Sequence, residues 1–263
     1  MGKFDGILLC TDFDGTFAMS GTRISRENCD AVRYFQKNGG LFTIATGRSP
    51  EFILGFDEFA LNAPIIAANG TMICDCKSGE RLMTFPMRPE IASVIEMAVA
   101  QPFAESVYIC SSDGHGKKWS RDSGVSVTDF FGNVPMPWYK VIFEQSVENT
   151  AAMVKWAADN YTGIYEFGRS YRCGLEFQEP GTGKSEGMER VKSMLGGIRL
   201  TVGAGDYEND VSLIRRADIG YAVANAVTEA KRAADRITVS NDEHAIAHII
   251  SELEKSVNLD YSE

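Results

Sequence analysis

Apolar residues in the first third of the chain fall in short, nearly unbroken runs separated by amphipathic stretches. Ile7–Thr11 (ILLCT), residues 41–46 (LFTIAT) and residues 64–68 (PIIAA) lack polar alternation, the pattern of strands buried on both faces. Between the first two, Ser25 is a candidate cap for a helix over about 26–38, which Gly39-Gly40 would end. Ser49-Pro50 then pairs an N-cap with Pro at the first helical position. This strand–helix alternation predicts a parallel sheet with helices on both faces.

The pattern changes after Asn69-Gly70. Residues 71–74 and 81–85 flank Lys77-Ser78-Gly79 and read as a hairpin. Mixed signals follow: helices near 91–100 and 147–160, strands at 107–110, 141–143 and 175–177, and a loop at Pro135-Met136-Pro137. The α/β rhythm resumes at Lys184, with a helix over 185–195 ended by Gly196-Gly197. A strand at 200–203, a helix at 210–217, a strand at 219–223 and a helix over about 243–253 complete it. The expected fold class is α/β. One Rossmann-like domain with a parallel sheet, residues 1–84 and 181–263, is split by an α+β domain at 85–180.

A chain of 263 residues, 44% hydrophobic and 24% charged, has the composition of a globular protein and is long enough to bury a sizeable core. Its net charge of -10 disfavours nucleic acid or an anionic membrane as partner. Handling an anionic substrate would then need local cations. The apolar run at 7–10 is too short for a signal peptide or membrane span, and Gly6 spoils a myristoylation pattern after Met1-Gly2. A cytoplasmic protein, monomeric or a small homo-oligomer, is expected. The six cysteines, with Cys74-x-Cys76 as the single close pair, complete no zinc site and read as reduced structural thiols.

Candidate chemistry lies where predicted strands end. Asp12-Phe13-Asp14-Gly15-Thr16 follows the first, and open parallel sheets bind ligands beyond their carboxyl ends. Two carboxylates so close repel, so one is protonated or a cation sits between them. Oxygen-only ligation suits Mg²⁺. One carboxylate can attack phosphorus and the other, protonated, can serve the leaving alcohol; a turn with two solvated acids is the plainer alternative. Thr46-Gly47-Arg48 follows the second strand and could hold phosphate oxygens or merely enter a helix. Gly205-Asp206-Tyr207-Glu208-Asn209-Asp210 follows a later strand and reads as a cation site, or as an acidic helix start favoured by the dipole. Residues 178–185 (QEPGTGKS) approach a nucleotide-binding P-loop, but Gln178 stands where that loop needs Gly. Lys184 alone can instead bridge a nucleophile and a phosphoryl group. His244 and His248 have helical i, i+4 spacing without a third ligand, and His115 sits in a glycine-rich loop.

Taken in order, these clusters resemble the haloacid dehalogenase superfamily, in its Cof-type phosphatase branch with a C2-type (IIB) cap. The similarity spans 5–85 and 180–250, with Asn69-Gly70 and Ala224-Asn225-Ala226 also family-like. The resemblance implies a Mg²⁺-dependent phosphatase acting on small phosphorylated metabolites through an aspartyl-phosphate. Asp12 would be nucleophile and Asp14 general acid/base. Asp12, the Asp14 carbonyl and Asp206 would bind metal. Thr46, Gly47, Arg48, Asn69, Lys184, Asn209 and the Phe13 backbone would bind phosphoryl or substrate, and Asp210 would orient Lys184 or a metal-bound water. The family usually has Gly after the third-motif Lys, where Ser185 stands. A sugar phosphomutase is the nearest enzymatic rival, though the compact Gly-Asp-x-x-Asn-Asp favours hydrolysis. A nucleotide-binding protein using Gly183-Lys184-Ser185 is the rival from another class. The cap would close over the leaving group and set specificity, yet 85–180 shows no motif; Trp119, Trp138 and Arg121 are candidates there, or packing and surface residues.

Overall fold

A computed structural model describes residues 2–111 and 116–260, the side chains of 257–260 excepted. His115 lies outside the described residues. The chain forms two compact units, one from Met1–Met83 with Lys184–Glu263, the other from Thr84–Gly183.

The first unit opens with β1 (Ile7–Thr11), α1 (Arg26–Lys37), β2 (Leu41–Ile44), α2 (Pro50–Leu54), β3 (Ile65–Ala67), β4 (Met72–Cys74) and β5 (Arg81–Thr84). Ser25 caps α1 by accepting from the Asn28 N–H, and Ser49 caps α2 by accepting from the Phe52 N–H. The second unit holds α3 (Ile91–Val99), β6 (Ser106–Ser111), β7 (Gly116–Ser120), α4 (Val127–Phe131), β8 (Trp138–Glu144), α5 (Thr150–Tyr161), β9 (Glu166–Tyr171) and β10 (Gly174–Gln178). The first unit resumes with α6 (Lys184–Leu195), β11 (Leu200–Gly205), α7 (Val211–Arg216), β12 (Ile219–Ala222), α8 (Thr228–Ala233), β13 (Arg236–Ile237) and α9 (Ala245–Asp260).

Five strands of the first unit form a parallel sheet in the order β13-β12-β11-β1-β2. β3 joins β2's end by a single parallel bridge, Ala45 to Ile66, and pairs with β4 in a small sheet. Strand alternation sends Leu8 and Cys10 toward Met188, Val191 and Leu213 of α6 and α7. On the other side α1 packs against β2 and α9. Because β11 and β2 flank β1, the chain crosses over at β1, and the crevice beyond its carboxyl end is where such a sheet binds ligands.

The second unit is an antiparallel sheet, β7-β6-β8-β10-β9. Val107, Ile109, Val141, Phe143, Leu175 and Phe177 share one face and pack with Ile91, Val94, Met153 and Tyr161. Alternate positions are polar: Lys140 pairs with Glu176 at 3.3 Å, and Glu144 accepts from Ser106 and Tyr171. Trp119 and Trp138 are buried here, each indole N–H donating to a carbonyl, of Val125 and Val134. The Arg121 guanidinium donates to the carbonyls of Val99, Gln101 and Ala104, closing the end of α3.

Among the described residues no helix is long and apolar enough to cross a membrane. Phe177 is fully buried and touches the rings of Phe143, Tyr161, Tyr165 and Phe167. Truncating such a ring leaves a cavity its neighbours only partly fill, so Phe177→Ala should cost about 3–5 kcal/mol. Equilibrium denaturation measures this; a loss below about 1 kcal/mol would refute the packing.

Candidate active site

β1 ends with the Asp12 N–H bonded to Ala204 O at 2.8 Å, one strand over, which fixes where the Asp12 carboxylate emerges. Gly15 follows at φ +81°, and a Cβ there would lie 2.7 Å from Asp206 Oδ2. Glycine is required twice over, for the backbone turn and for the close carboxylate. The Phe13 ring turns away into a cluster with Phe17, Phe52, Phe56 and Phe59, while its carbonyl accepts from Ala18 N–H at 2.8 Å.

Lys184, the first residue of α6, is 1% exposed. Its ammonium donates to Asp12 Oδ1 and Asp210 Oδ1, both at 2.6 Å. Burial opposes its charge, but the Asp12 and Asp210 carboxylates outweigh that and push its pKa up. The second Asp210 oxygen accepts the Asp206 and Tyr207 N–H groups, each at 3.0 Å. Asp210 therefore anchors Lys184 and the loop after β11 together, and has its oxygens committed. Asp206 accepts from Thr16 Oγ1 at 3.1 Å.

The carboxylates crowd. Burial first, and Asp210 second, push Asp12 well above the usual range, with Lys184 opposing. The same causes carry Asp206 from 3.8 up to about 7. Asp12, Asp206 and Asp210 bring oxygens within 4.8 Å of one another, and formally three negative charges face one ammonium. An all-oxygen donor set with surplus negative charge fits a hard divalent cation. With Asp210 committed elsewhere, Asp12 and Asp206 are the side chains fitted to hold it.

The other predicted residues assemble around this centre. Thr46 is buried; its N–H donates to Ile66 O at 2.8 Å and its hydroxyl accepts from Arg48 N–H at 3.0 Å. Gly47 lies between them. Asn69, in the left-handed region at φ +57°, donates its N–H to Thr46 O at 2.8 Å and accepts from Asn209 Nδ2 at 3.3 Å. One chain of bonds thus runs from Thr46 through Asn69 to Asn209. The Arg48 guanidinium grips both Asp14 oxygens, at 2.9 and 3.1 Å, and stacks 4.6 Å from the Phe52 ring centre. That pairing was not foreseen in the sequence, nor was the Thr16 bond to Asp206.

Two sequence alternatives fail on the structure. The P-loop lookalike also runs from a strand to a helix, but its strand, β10, is paired antiparallel on both sides, and a P-loop turns its Lys to phosphates. Here Lys184 is buried between two carboxylates. His244 is not on a helix with His248: it sits before α9 at φ +64°, with Nδ1 3.6 Å from Glu27.

Residues 9–250 match the family model of haloacid dehalogenase-like hydrolases. The chain belongs to that family. A phosphoglycolate phosphatase of Natronomonas pharaonis is 29% identical over 233 residues, covering 88% of this chain and 90% of its own. A 5-amino-6-(5-phospho-D-ribitylamino)uracil phosphatase of Bacillus subtilis is 22% identical, covering 93% and 96%. Among solved structures, a haloacid dehalogenase-like hydrolase from B. subtilis superposes with a TM-score of 0.80 at 21% identity, over 93% of this chain and 98% of that one. A subclass IIB sugar phosphatase gives 0.74 at 20% identity, over 93% and 98%. This haloacid dehalogenase-like hydrolase is a Cof-type phosphatase.

Between pH 3.8 and about 7 the folded hydrolase holds a proton near Asp206 that the unfolded chain has lost. Stability of the cation-free protein therefore falls as pH rises through that window. A divalent cation displaces that proton. Added Mg²⁺ should raise the thermal midpoint more at about pH 8 than at about pH 5.5. An equal gain at both pH values in a thermal-shift titration would contradict the carboxylate assignment.

Proposed function

We propose that the chain hydrolyses phosphate monoesters of small metabolites, sugar phosphates or phosphorylated cofactors, in two steps through an aspartyl-phosphate on Asp12. The observation that carries this reading is the buried Lys184 ammonium, 2.6 Å from both Asp12 and Asp210. It holds the nucleophile at the end of β1 and sets positive charge where a phosphoryl group would gain negative charge. Mg²⁺, held by the Asp12 and Asp206 carboxylates and the Asp14 carbonyl, would add positive charge at the same place.

Asp12 attacks phosphorus in line, and the ester oxygen leaves with a proton from Asp14. Water then attacks the aspartyl-phosphate, giving its proton to Asp14 and releasing phosphate. Thr46, Gly47 and Asn209 donate to phosphoryl oxygens, and Asn69 keeps the Asn209 amide aimed. Both Asp14 oxygens are engaged by Arg48, so proton delivery requires that pair to open. A phosphoryl group offers Arg48 a bidentate partner of higher charge, and its arrival exchanges one pairing for the other. The unit from Thr84 to Gly183 acts as the cap that recognises the leaving group.

A phosphate-release screen with Mg²⁺ over phosphorylated metabolites tests the reading. The screen includes phosphoglycolate and the phosphorylated ribitylaminouracil, which appear in the names of two relatives. Asp12→Asn should keep the fold, judged by circular dichroism, and lower turnover on the order of 10³-fold or more. Activity within tenfold of the native protein would exclude Asp12 as nucleophile.

A further inference from the structure

The turn after Asp12 is fastened from both sides. Its inward N–H groups go to its own backbone: Phe17 N–H to Asp12 O at 3.3 Å and Ala18 N–H to Phe13 O at 2.8 Å. Its outward carbonyls go to three asparagines from distant parts of the same unit. Asn225 Nδ2, from the loop after β12, donates to Gly15 O at 2.8 Å. Asn28 Nδ2, from α1, donates to Phe17 O at 3.1 Å. Asn241 Nδ2, from the turn before α9, donates to Ala18 O at 2.9 Å.

The donors are themselves held. Asn225 Oδ1 accepts from Asn241 N–H at 2.9 Å, which links two of the three. Asn28 Oδ1 accepts from Ala247 N–H at 3.0 Å, at the start of α9. Asn28 and Asn241 are buried. A tight turn is ordinarily closed by one hydrogen bond of its own, so three imported amides are more than the turn needs to exist. What they fix are the carbonyls one, three and four residues beyond Asp14, and with them the path of the turn that carries it. A proton donor displaced by about 1 Å can cost on the order of 10²-fold in rate, and Asp14 has to leave Arg48 and arrive at the ester oxygen in each cycle.

We infer that Asn225, Asn241 and Asn28 are positioning residues for Asp14: they clamp the Gly15, Phe17 and Ala18 carbonyls so that the Asp14 carboxyl, once free of Arg48, returns to a single place. This rests on the reading of Asp14 as the proton donor in two-step hydrolysis. It gives the last forty residues of the first unit, which carry no reacting group, a part in the chemistry.

The test compares esters that differ in their need for a proton. Nitrophenolate leaves unaided, whereas phenolate benefits from an acid. The probes are p-nitrophenyl phosphate and phenyl phosphate with Mg²⁺, read as the single-turnover rate of phenol release. Asn225 is exposed, so Asn225→Ala should fold normally. Asn241→Leu keeps the volume and loses the donor. Both variants should lose about tenfold or more with phenyl phosphate, less than about threefold with p-nitrophenyl phosphate, and bind each ester as before. A role confined to holding the fold would lower both rates together, and parallel loss, or no loss with phenyl phosphate, overturns the inference while leaving the phosphatase reading intact. Native protein inactive on both esters and on every member of the metabolite screen would remove that reading and the inference with it.

Discussion

The Lys184 ammonium between Asp12 and Asp210 is the contact on which the candidate site of the first unit depends. It ties the end of β1 to the start of α6 and to the loop after β11, positions 172 and 26 residues away in sequence. A buried charge is tolerated when its partners are close and their remaining atoms satisfied. Asp210 meets that condition by accepting two backbone N–H groups with its other oxygen. The arrangement still leaves carboxylate charge in excess, which raises Asp12 and Asp206. The same crowding that would be a defect in a purely structural core is a reason to admit a cation.

Legibility in the sequence followed burial. β1 and α1 were readable to within a residue, because one is an unbroken apolar run and the other has a Ser cap and a Gly-Gly stop. β7 (GKKWS), β9 (EFGRSY) and β13 (RI) were not, and all three are edge strands. Edges carry charge and little apolar alternation, so the periodicity that marks a strand is weakest there. The final helix was expected at 243 but begins at Ala245. His244 adopts the left-handed region, a backbone state uncommon for any residue but glycine.

The candidate site was legible as positions and only in part as pairings: the resemblance implied Asp210 beside Lys184, but not the partner of Asp14. Asp12, Lys184, Asp206 and Asp210 could be placed at strand and helix ends, and the structure brings them into direct contact. That Arg48 would grip Asp14 follows from how α2 is entered after Thr46, with the guanidinium stacked on Phe52; spacing alone does not specify a rotamer. The asparagine brace was invisible for a related reason. Asn28, Asn225 and Asn241 are far apart in sequence, each acts through a backbone carbonyl, and a carbonyl leaves no signature in residue identity.

These differences bear on how the chain divides its labour. Every bond described for Asp12, Lys184, Asp206 and Asp210 lies within the first unit, and so does each asparagine that holds the turn after Asp12. The geometry of the candidate site is thus set by one unit's parallel sheet and by loops at its carboxyl edge. The second unit has its own apolar core and a polar sheet face carrying Lys140, Glu176 and Glu144. Changing the side chains on that face alters neither the apolar packing behind it nor the hydrogen bonds that aim Asp12. Under the proposed function, a recognition surface built this way could follow a new leaving group without re-tuning the residues around Asp12, which would account for the sequence of 85–180 carrying no readable motif while the residues on either side of it do.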